Sequence, residues 1–213
     1  MSIAVKICGV NSPEALAWAA EAGADFVGFV FFPPSPRAVT PEQAGAISAS
    51  LAGGPRRVGL FVDPGDALVE AALAAAPLDV IQLHGEETPA RVGEIRARFG
   101  VPVMKALGIA TEADLAQVAE YAPVADRLLL DAKPPPDAVL PGGNAAPFEW
   151  RLARLAAIPK PWLLAGGLTP ANVAEAIAAS GAPGVDVSSG VERARGVKDR
   201  GLIRAFIQAA RGG

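Results

Sequence analysis

A thiol and a carboxyl are the two groups in this chain best suited to proton chemistry. Cys8 is the only cysteine, and it closes the stretch Ala4-Val5-Lys6-Ile7-Cys8-Gly9. Side chains alternate along an extended strand, so Ala4, Lys6 and Cys8 share one face and Ile3, Val5 and Ile7 the other. The second face is apolar and suits packing under a helix. The first offers an amine and a thiol beside a glycine that lets another group approach. Asp131 closes a second run, Leu128-Leu129-Leu130. A thiol and a carboxyl on two sides of one substrate could act as a pair, one taking a proton and the other giving one. Each then needs its pKa moved. A thiol of about 8.5 is lowered by a cation, for which Lys6 is at hand, and a carboxyl is raised by burial. The competing reading makes Cys8 a nucleophile. Such cysteines usually work with a histidine, and the only one is His84.

The elements that must hold these groups alternate between short β-rich runs and Ala-rich helical stretches. Ser12-Pro13-Glu14, Thr40-Pro41-Glu42 and Thr88-Pro89 each place a capping hydroxyl before a first-turn proline. They predict helices to about Ala22, Leu51 and Phe99. Further helices are expected over Asp66 to Ala75, Thr111 to Tyr121, Glu149 to Ala156, Thr169 to Ala179 and Asp199 to Ala210. Strands are expected at Ala4 to Cys8, Asp25 to Phe31, Arg57 to Val62, Leu78 to Leu83, Val101 to Ala106, Arg127 to Asp131, Pro161 to Ala165 and Gly184 to Val187. Eight strand–helix units in one chain imply a parallel sheet closed into a single-domain (β/α)8 barrel spanning residues 1–213. No Gly-x-Gly-x-x-Gly follows the first strand, which weakens a dinucleotide fold.

Barrels of this kind carry their active sites at the C-terminal ends of the strands. Polar residues collect there: Lys6 and Cys8 on strand one, Gln82 and His84 on strand four, Lys105 on strand five, Asp131 on strand six, Asp186 and Ser188 on strand eight. Arg37 follows strand two on a loop stiffened by Pro33, Pro34 and Pro36. Lys105 has a plainer reading, filling the top barrel layer or pairing with an acid. Two turns suit an anion, because free N–H groups at turns and helix starts bind phosphate. One is Gly166-Gly167-Leu168-Thr169-Pro170, and the other is Asp186-Val187-Ser188-Ser189-Gly190-Val191-Glu192. Trp18, Phe148, Trp150 and Trp162 read as packing residues.

Composition excludes several classes. Of 213 residues 51% are hydrophobic, enough for a large core, and the net charge of -3 comes without a basic run, against a nucleic-acid surface. One histidine and one cysteine rule out a metal cage built from those residues. No leader or membrane span is apparent, so a cytoplasmic protein, monomer or homodimer, is expected.

Taken in order, six segments resemble those of phosphoribosylanthranilate isomerases. They are Lys6-Ile7-Cys8-Gly9, the Phe31-to-Arg37 loop, Gln82-Leu83-His84-Gly85, Leu130-Asp131, Ala165-Gly166-Gly167-Leu168 and Asp186-to-Glu192. The resemblance implies an Amadori rearrangement in tryptophan biosynthesis, on a small phosphosugar, without metal or cofactor. It implies Asp131 as general acid and Cys8 as general base. Arg37 would hold the anthranilate carboxylate, and Gly166, Gly167, Ser188, Ser189 and Gly190 the phosphate. Gln82, His84 and Asp186 would line the site. One departure lies in the loop after strand six, where Asn144-Ala145 and Glu149 replace the family's glycine-rich and aspartate positions. Another phosphosugar barrel enzyme, or a barrel that only binds a phosphorylated ligand, are the alternatives.

Overall fold

The computed structural model describes residues 2–133 and 149–212. Eight parallel strands close into one barrel in sequence order. They are β1 (Ala4–Cys8), β2 (Phe26–Val30), β3 (Arg56–Phe61), β4 (Val80–Leu83), β5 (Val103–Ile109), β6 (Arg127–Ala132), β7 (Trp162–Leu164) and β8 (Gly184–Val187). Helices α1 (Pro13–Glu21), α2 (Pro41–Ala49), α3 (Asp66–Ala75), α4 (Pro89–Phe99), α5 (Ala116–Tyr121), α6 (Val173–Ser180) and α7 (Arg200–Arg211) surround it. The proline-led caps behave as expected: Ser12, Thr40 and Thr88 accept from the amides of Ala15, Gln43 and Arg91. None of the described helices is long and apolar enough to cross a membrane.

Three expectations need correction. The segment after β6 is a 3-10 helix, Trp150–Leu155, instead of an α-helix over Glu149 to Ala156. The helix expected from Thr111 splits into a 3-10 turn, Glu112–Leu115, and α5. β5 runs to Ile109, three residues past the expected end, so Lys105 sits mid-strand. The proline and glycine loop at Pro134, Pro135, Pro136, Gly142, Gly143 and Asn144, and Phe148 with it, lies outside the described residues. Trp18, Trp150 and Trp162 do pack against the core.

The barrel interior is filled by Phe26, Val58, Val80, Met104, Ala106, Leu129, Leu163 and Ala165. The larger cluster lies between strands and helices. At the N-terminal face an aspartate precedes each of β2, β4 and β6. Asp25, Asp79 and Asp126 accept the amides of Val5, Arg57 and Val103 on the preceding strand, at 2.8, 2.7 and 2.9 Å. Each also donates its own amide to that residue's carbonyl, at 2.9, 2.8 and 2.9 Å. Every odd–even strand pair of the first six is thus clasped at its base. At the seam where β8 meets β1, Ala4 donates to the Pro183 carbonyl.

Removing one clasp leaves a strand amide without its acceptor, at a cost of about 1–3 kcal/mol. Asp79→Ala is therefore expected to lower the unfolding free energy measured in urea by that amount. Turnover should be unchanged, because the strand ends that carry the polar cluster are at the opposite face. A loss of turnover at full stability would contradict this assignment.

Candidate active site

The C-terminal face is organised by strand register. Lys6 on β1 lies directly beside Asp186 on β8, and Cys8 beside Gly28 on β2. Lys6 and Asp186 both point inward and join through Nζ and Oδ1 at 2.9 Å. Gly28 makes room for them. A Cβ there would stand 2.9 Å from the Cys8 Sγ and 3.3 Å from the Lys6 Nζ. Burial works against the Lys6 charge, yet Asp186 and the Cys8 thiol outweigh it and hold its pKa above the ordinary value. For Cys8 the balance goes the other way. Burial pushes the thiol up, and Lys6 only partly opposes it because Asp186 pushes in the same direction as burial. The expectation that Lys6 would bring the thiol toward neutrality therefore does not hold.

Asp131 is the penultimate residue of β6, three steps round the ring from β1 by way of β8 and β7. Four steps would be diametrically opposed, so the two groups do not face each other squarely. The Asp131 Oδ1 accepts from the amide of Ala132 at 2.8 Å. The other oxygen lies 3.2 Å from the His84 Nε2. The opposite ring nitrogen of His84, Nδ1, is 2.9 Å from the Gln82 Nε2. With the amide nitrogen in that position Nδ1 accepts, and a neutral imidazole then carries its proton on Nε2, facing Asp131. His84 thus serves Asp131, not Cys8. Gln82 is fully buried, and its Oε1 has no partner among the described residues.

Arg37 comes in across Gly9, whose missing Cβ would meet the arginine Cδ at 2.5 Å. Its guanidinium is held side-on by Glu192, with Nε and Nη2 donating to the two carboxylate oxygens at 2.7 and 3.0 Å. Glu192 opens a small hairpin, β9 (Glu192–Ala194) and β10 (Val197–Lys198). The hairpin brings in Lys198, whose Nζ lies 2.8 Å from Glu192 and 3.0 Å from the Ser188 carbonyl. Burial works to raise the Glu192 pKa, but its two cations and the Gly196 amide bring it down to about 2. Burial lowers that of Lys198, with Arg37 adding repulsion. Sequence reading placed Glu192 in an anion-binding turn and missed Lys198. A carboxylate repels an anion, and Glu192 is the counter-charge of Arg37. The sequence signal was Gly196, which permits the hairpin turn at φ +80° just before Lys198.

The two anion-suited turns are brought together. Gly190 lies against the Leu168 carbonyl so closely that no Cβ fits between them. Gly166 and Gly167 both take positive φ, at 90° and 63°. Their amides find no acceptor among the described residues. Asn172 steadies this turn, accepting from Thr169 at 2.7 Å and donating to the Gly167 carbonyl at 3.0 Å. Ser189 and Gly190 begin a short 3-10 turn, Ser189–Val191. The Ser188 hydroxyl is engaged elsewhere, donating to the Cys8 carbonyl at 3.2 Å. Lys105 is not in the site. It points outward from β5 to Glu87, so it pairs with an acid and does not fill a barrel layer.

A closed barrel whose inward polar groups gather at the strand C-termini has the build of a (β/α)8 enzyme. The profile of the family described as N-(5'phosphoribosyl)anthranilate (PRA) isomerase matches residues 5–209. An N-(5'-phosphoribosyl)anthranilate isomerase from Paracoccus denitrificans is 61% identical over 210 residues, covering 99% of this chain and 98% of that protein. One from Paramagnetospirillum magneticum is 57% identical over 213 residues, covering 100% and 99%. The crystal structure of phosphoribosyl anthranilate isomerase from Thermotoga maritima superposes with a TM-score of 0.89 at 37% identity, covering 99% of this chain and 100% of that one. The chain belongs to the N-(5'-phosphoribosyl)anthranilate isomerase family. It is accordingly an isomerase of tryptophan biosynthesis.

The shared carboxylate gives a test. With its pKa at about 2 when folded, against about 4.3 when unfolded, Glu192 contributes stability that is complete above the ordinary carboxylate range. That contribution is lost as pH falls from there toward 2. Glu192→Gln leaves two buried cations without an acid and is expected to cost about 3–5 kcal/mol at pH 7. In urea titrations the gap between variant and parent should shrink between pH 5 and pH 2.5. A gap independent of pH would contradict this.

Proposed function

We propose that this chain catalyses the Amadori rearrangement of N-(5'-phosphoribosyl)anthranilate to 1-(2-carboxyphenylamino)-1-deoxyribulose 5-phosphate, as one catalytic domain working in the cytoplasm. The observation that carries the reading is the placement of Cys8 and Asp131. Both are buried near strand C-termini of the barrel, with Lys6 on the same inward face as Cys8 and His84 against Asp131. A further support is a structurally similar phosphoribosyl anthranilate isomerase, solved in complex with reduced 1-(o-carboxyphenylamino)-1-deoxyribulose 5-phosphate. It has a TM-score of 0.84 at 35% identity.

Asp131 is the general acid. It protonates the furanose ring oxygen as the C1–O bond breaks, and the anilino nitrogen supplies the electron pair that forms the C1=N bond. The His84 Nε2–H then steadies the carboxylate that remains. Cys8 is the general base. It takes the proton from C2, and the C–H electrons form the C1=C2 bond of an enolamine. Tautomerisation moves a proton to C1 and leaves a ketone at C2. The hydrogen is redistributed within one molecule, so the reaction calls for no external oxidant or reductant.

Arg37 takes the anthranilate carboxylate. Its Nε–Nη2 edge is committed to Glu192, so the carboxylate meets the remaining N–H groups at Nη1 and the outer side of Nη2. The backbone amides at Gly166, Gly167, Ser188, Ser189 and Gly190 take the phosphate. Gln82 and Asp186 act as supports for His84 and Lys6. The only ligand this reading requires is a small phosphosugar.

Two experiments bear on it. Substrate is generated in place from anthranilate and phosphoribosyl pyrophosphate by a transferase, and its fluorescence is followed after adding the protein. Asp131→Asn and Cys8→Ser should each slow turnover by ~10²–10⁴-fold without unfolding the chain. Near-normal turnover in both would remove the assignment. The second is a pH profile. In Asp131→Asn, where the acid no longer titrates, the residual kcat/KM should still be rising above pH ~8.5, because a base acts when deprotonated and burial raises the Cys8 pKa. A plateau already reached at pH 7 would contradict Cys8 as the titrating base of the free enzyme.

A further inference from the structure

Behind β4 and β5, on the side away from the barrel interior, lies a buried ion pair that the mechanism above does not use. The Lys105 Nζ is 2.9 Å from the Glu87 Oε2, and both side chains are almost wholly buried. The lysine donates its other two hydrogens to backbone carbonyls, at 2.7 Å to Gly85 and 3.4 Å to Leu83. Those two carbonyls flank His84. The carboxylate does the complementary work: Glu87 accepts from the amides of Gly85 at 3.1 Å and Asp63 at 2.9 Å. The Tyr121 hydroxyl donates to the Glu87 carbonyl at 2.9 Å. Asp63, the one non-glycine with positive φ among the described residues, holds the next amide, that of Glu86, at 2.8 Å. A Cβ at Gly85 would collide with this aspartate at 2.6 Å. The loop therefore has little freedom to shift.

We propose that Lys105 and Glu87 are positioning residues for the isomerisation: they clamp the backbone on both sides of His84 and so hold its Nε2–H against Asp131. The loop carrying His84 leaves the barrel just after β4, where ladder hydrogen bonds end. Only the amide of His84 is still tied to β3, at 2.8 Å to the Phe61 carbonyl. The clamp supplies what the ladder no longer does. Its charges need each other. Lys105 alone would be a buried cation, and Glu87 alone a buried anion, each costing several kcal/mol. The pair can be built only where the β4–α4 loop folds back over β5, and that same fold aims the imidazole. The proposal rests on Asp131 acting at the reaction centre, as read above.

His84 is the only histidine, so histidine labelled with nitrogen-15 gives one set of ring signals for the whole chain. In the unaltered protein at neutral pH, Nε2 should show the protonated signature and Nδ1 the unprotonated one. Lys105→Met combined with Glu87→Gln removes both charges together, so the variant is not left with a lone buried ion. In it the two ring signals should move toward each other as the tautomers mix. Turnover should fall on the order of 10- to 100-fold in kcat, the scale expected for a displaced catalytic group, with KM changed less than about twofold. Adding His84→Asn to that variant should cost far less than His84→Asn costs alone. A proton on Nδ1 in the unaltered protein would overturn the proposal. So would unchanged ring signals in the double variant, a loss confined to KM, or losses that simply multiply. Failure of the Asp131 assignment is seen separately, as turnover retained in Asp131→Asn, while the ring signals still report whether the clamp holds His84.

Discussion

An ammonium group taken out of water must find a carboxylate, and this requirement organises the whole C-terminal face. Three lysines are buried among the described residues, and each has its own acid: Lys6 with Asp186, Lys198 with Glu192, Lys105 with Glu87. Unpaired, each would cost several kcal/mol. Paired, each fixes two strands or a strand and a loop in one relation. The first pair joins β1 to β8 beside Cys8. The second joins the β9–β10 hairpin to Arg37 and to the turn after β8. The third joins β5 to the loop that carries His84. The reactive groups themselves are few, and each leans on one of these pairs.

The pairs also set the electrostatics. Lys6 meets only negative or ionisable partners and keeps its proton firmly. Lys198 shares its acid with Arg37 and holds its proton less firmly. Burial works against both charges: Asp186 and Cys8 outweigh it at Lys6, while at Lys198 it outweighs Glu192, with Arg37 adding repulsion. The thiol of Cys8 is pushed up because the nearest cation is already matched by Asp186. A thiol so placed is a stronger base once ionised, though less of it is ionised at rest. The turn at Gly166 and Gly167 carries no charged side chain of its own.

Much of this could be read from the chain itself. Period-two alternation put Lys6 with Cys8 and Gln82 with His84 on inward faces, and proline-led hydroxyl caps located three helices. Lys105 failed by the same rule. Strands in a barrel are buried on both faces, so alternation separates two sets of residues without saying which set faces inward. Only the register of β5 against β4 and β6, with Met104 and Ala106 in the interior, decides it. Glu192 was legible as part of a motif but not as the partner of Arg37. That pairing joins residues 155 apart in the chain and exists only after closure. The 3-10 character of Trp150–Leu155 left no clear mark in the sequence, where apolar spacing resembles that of an α-helix.

The aspartate clasps at the base carry an architectural consequence. Each carboxylate joins an odd strand to the even strand after it, and backbone bonds carry on to the next odd strand, as from the Arg56 amide to the Asp25 carbonyl at 3.0 Å. For the first six strands the carboxylate clasps therefore divide the base of the barrel into two-strand units, while the ladder runs on uninterrupted above. New chain termini opened between β2 and β3, or between β4 and β5, would leave every clasp within one continuous segment. Termini opened inside a unit would make a clasp depend on the reunion of two ends of the chain. The barrel is evenly closed as a sheet but unevenly divisible as a polypeptide, and its natural points of exchange fall after the even strands.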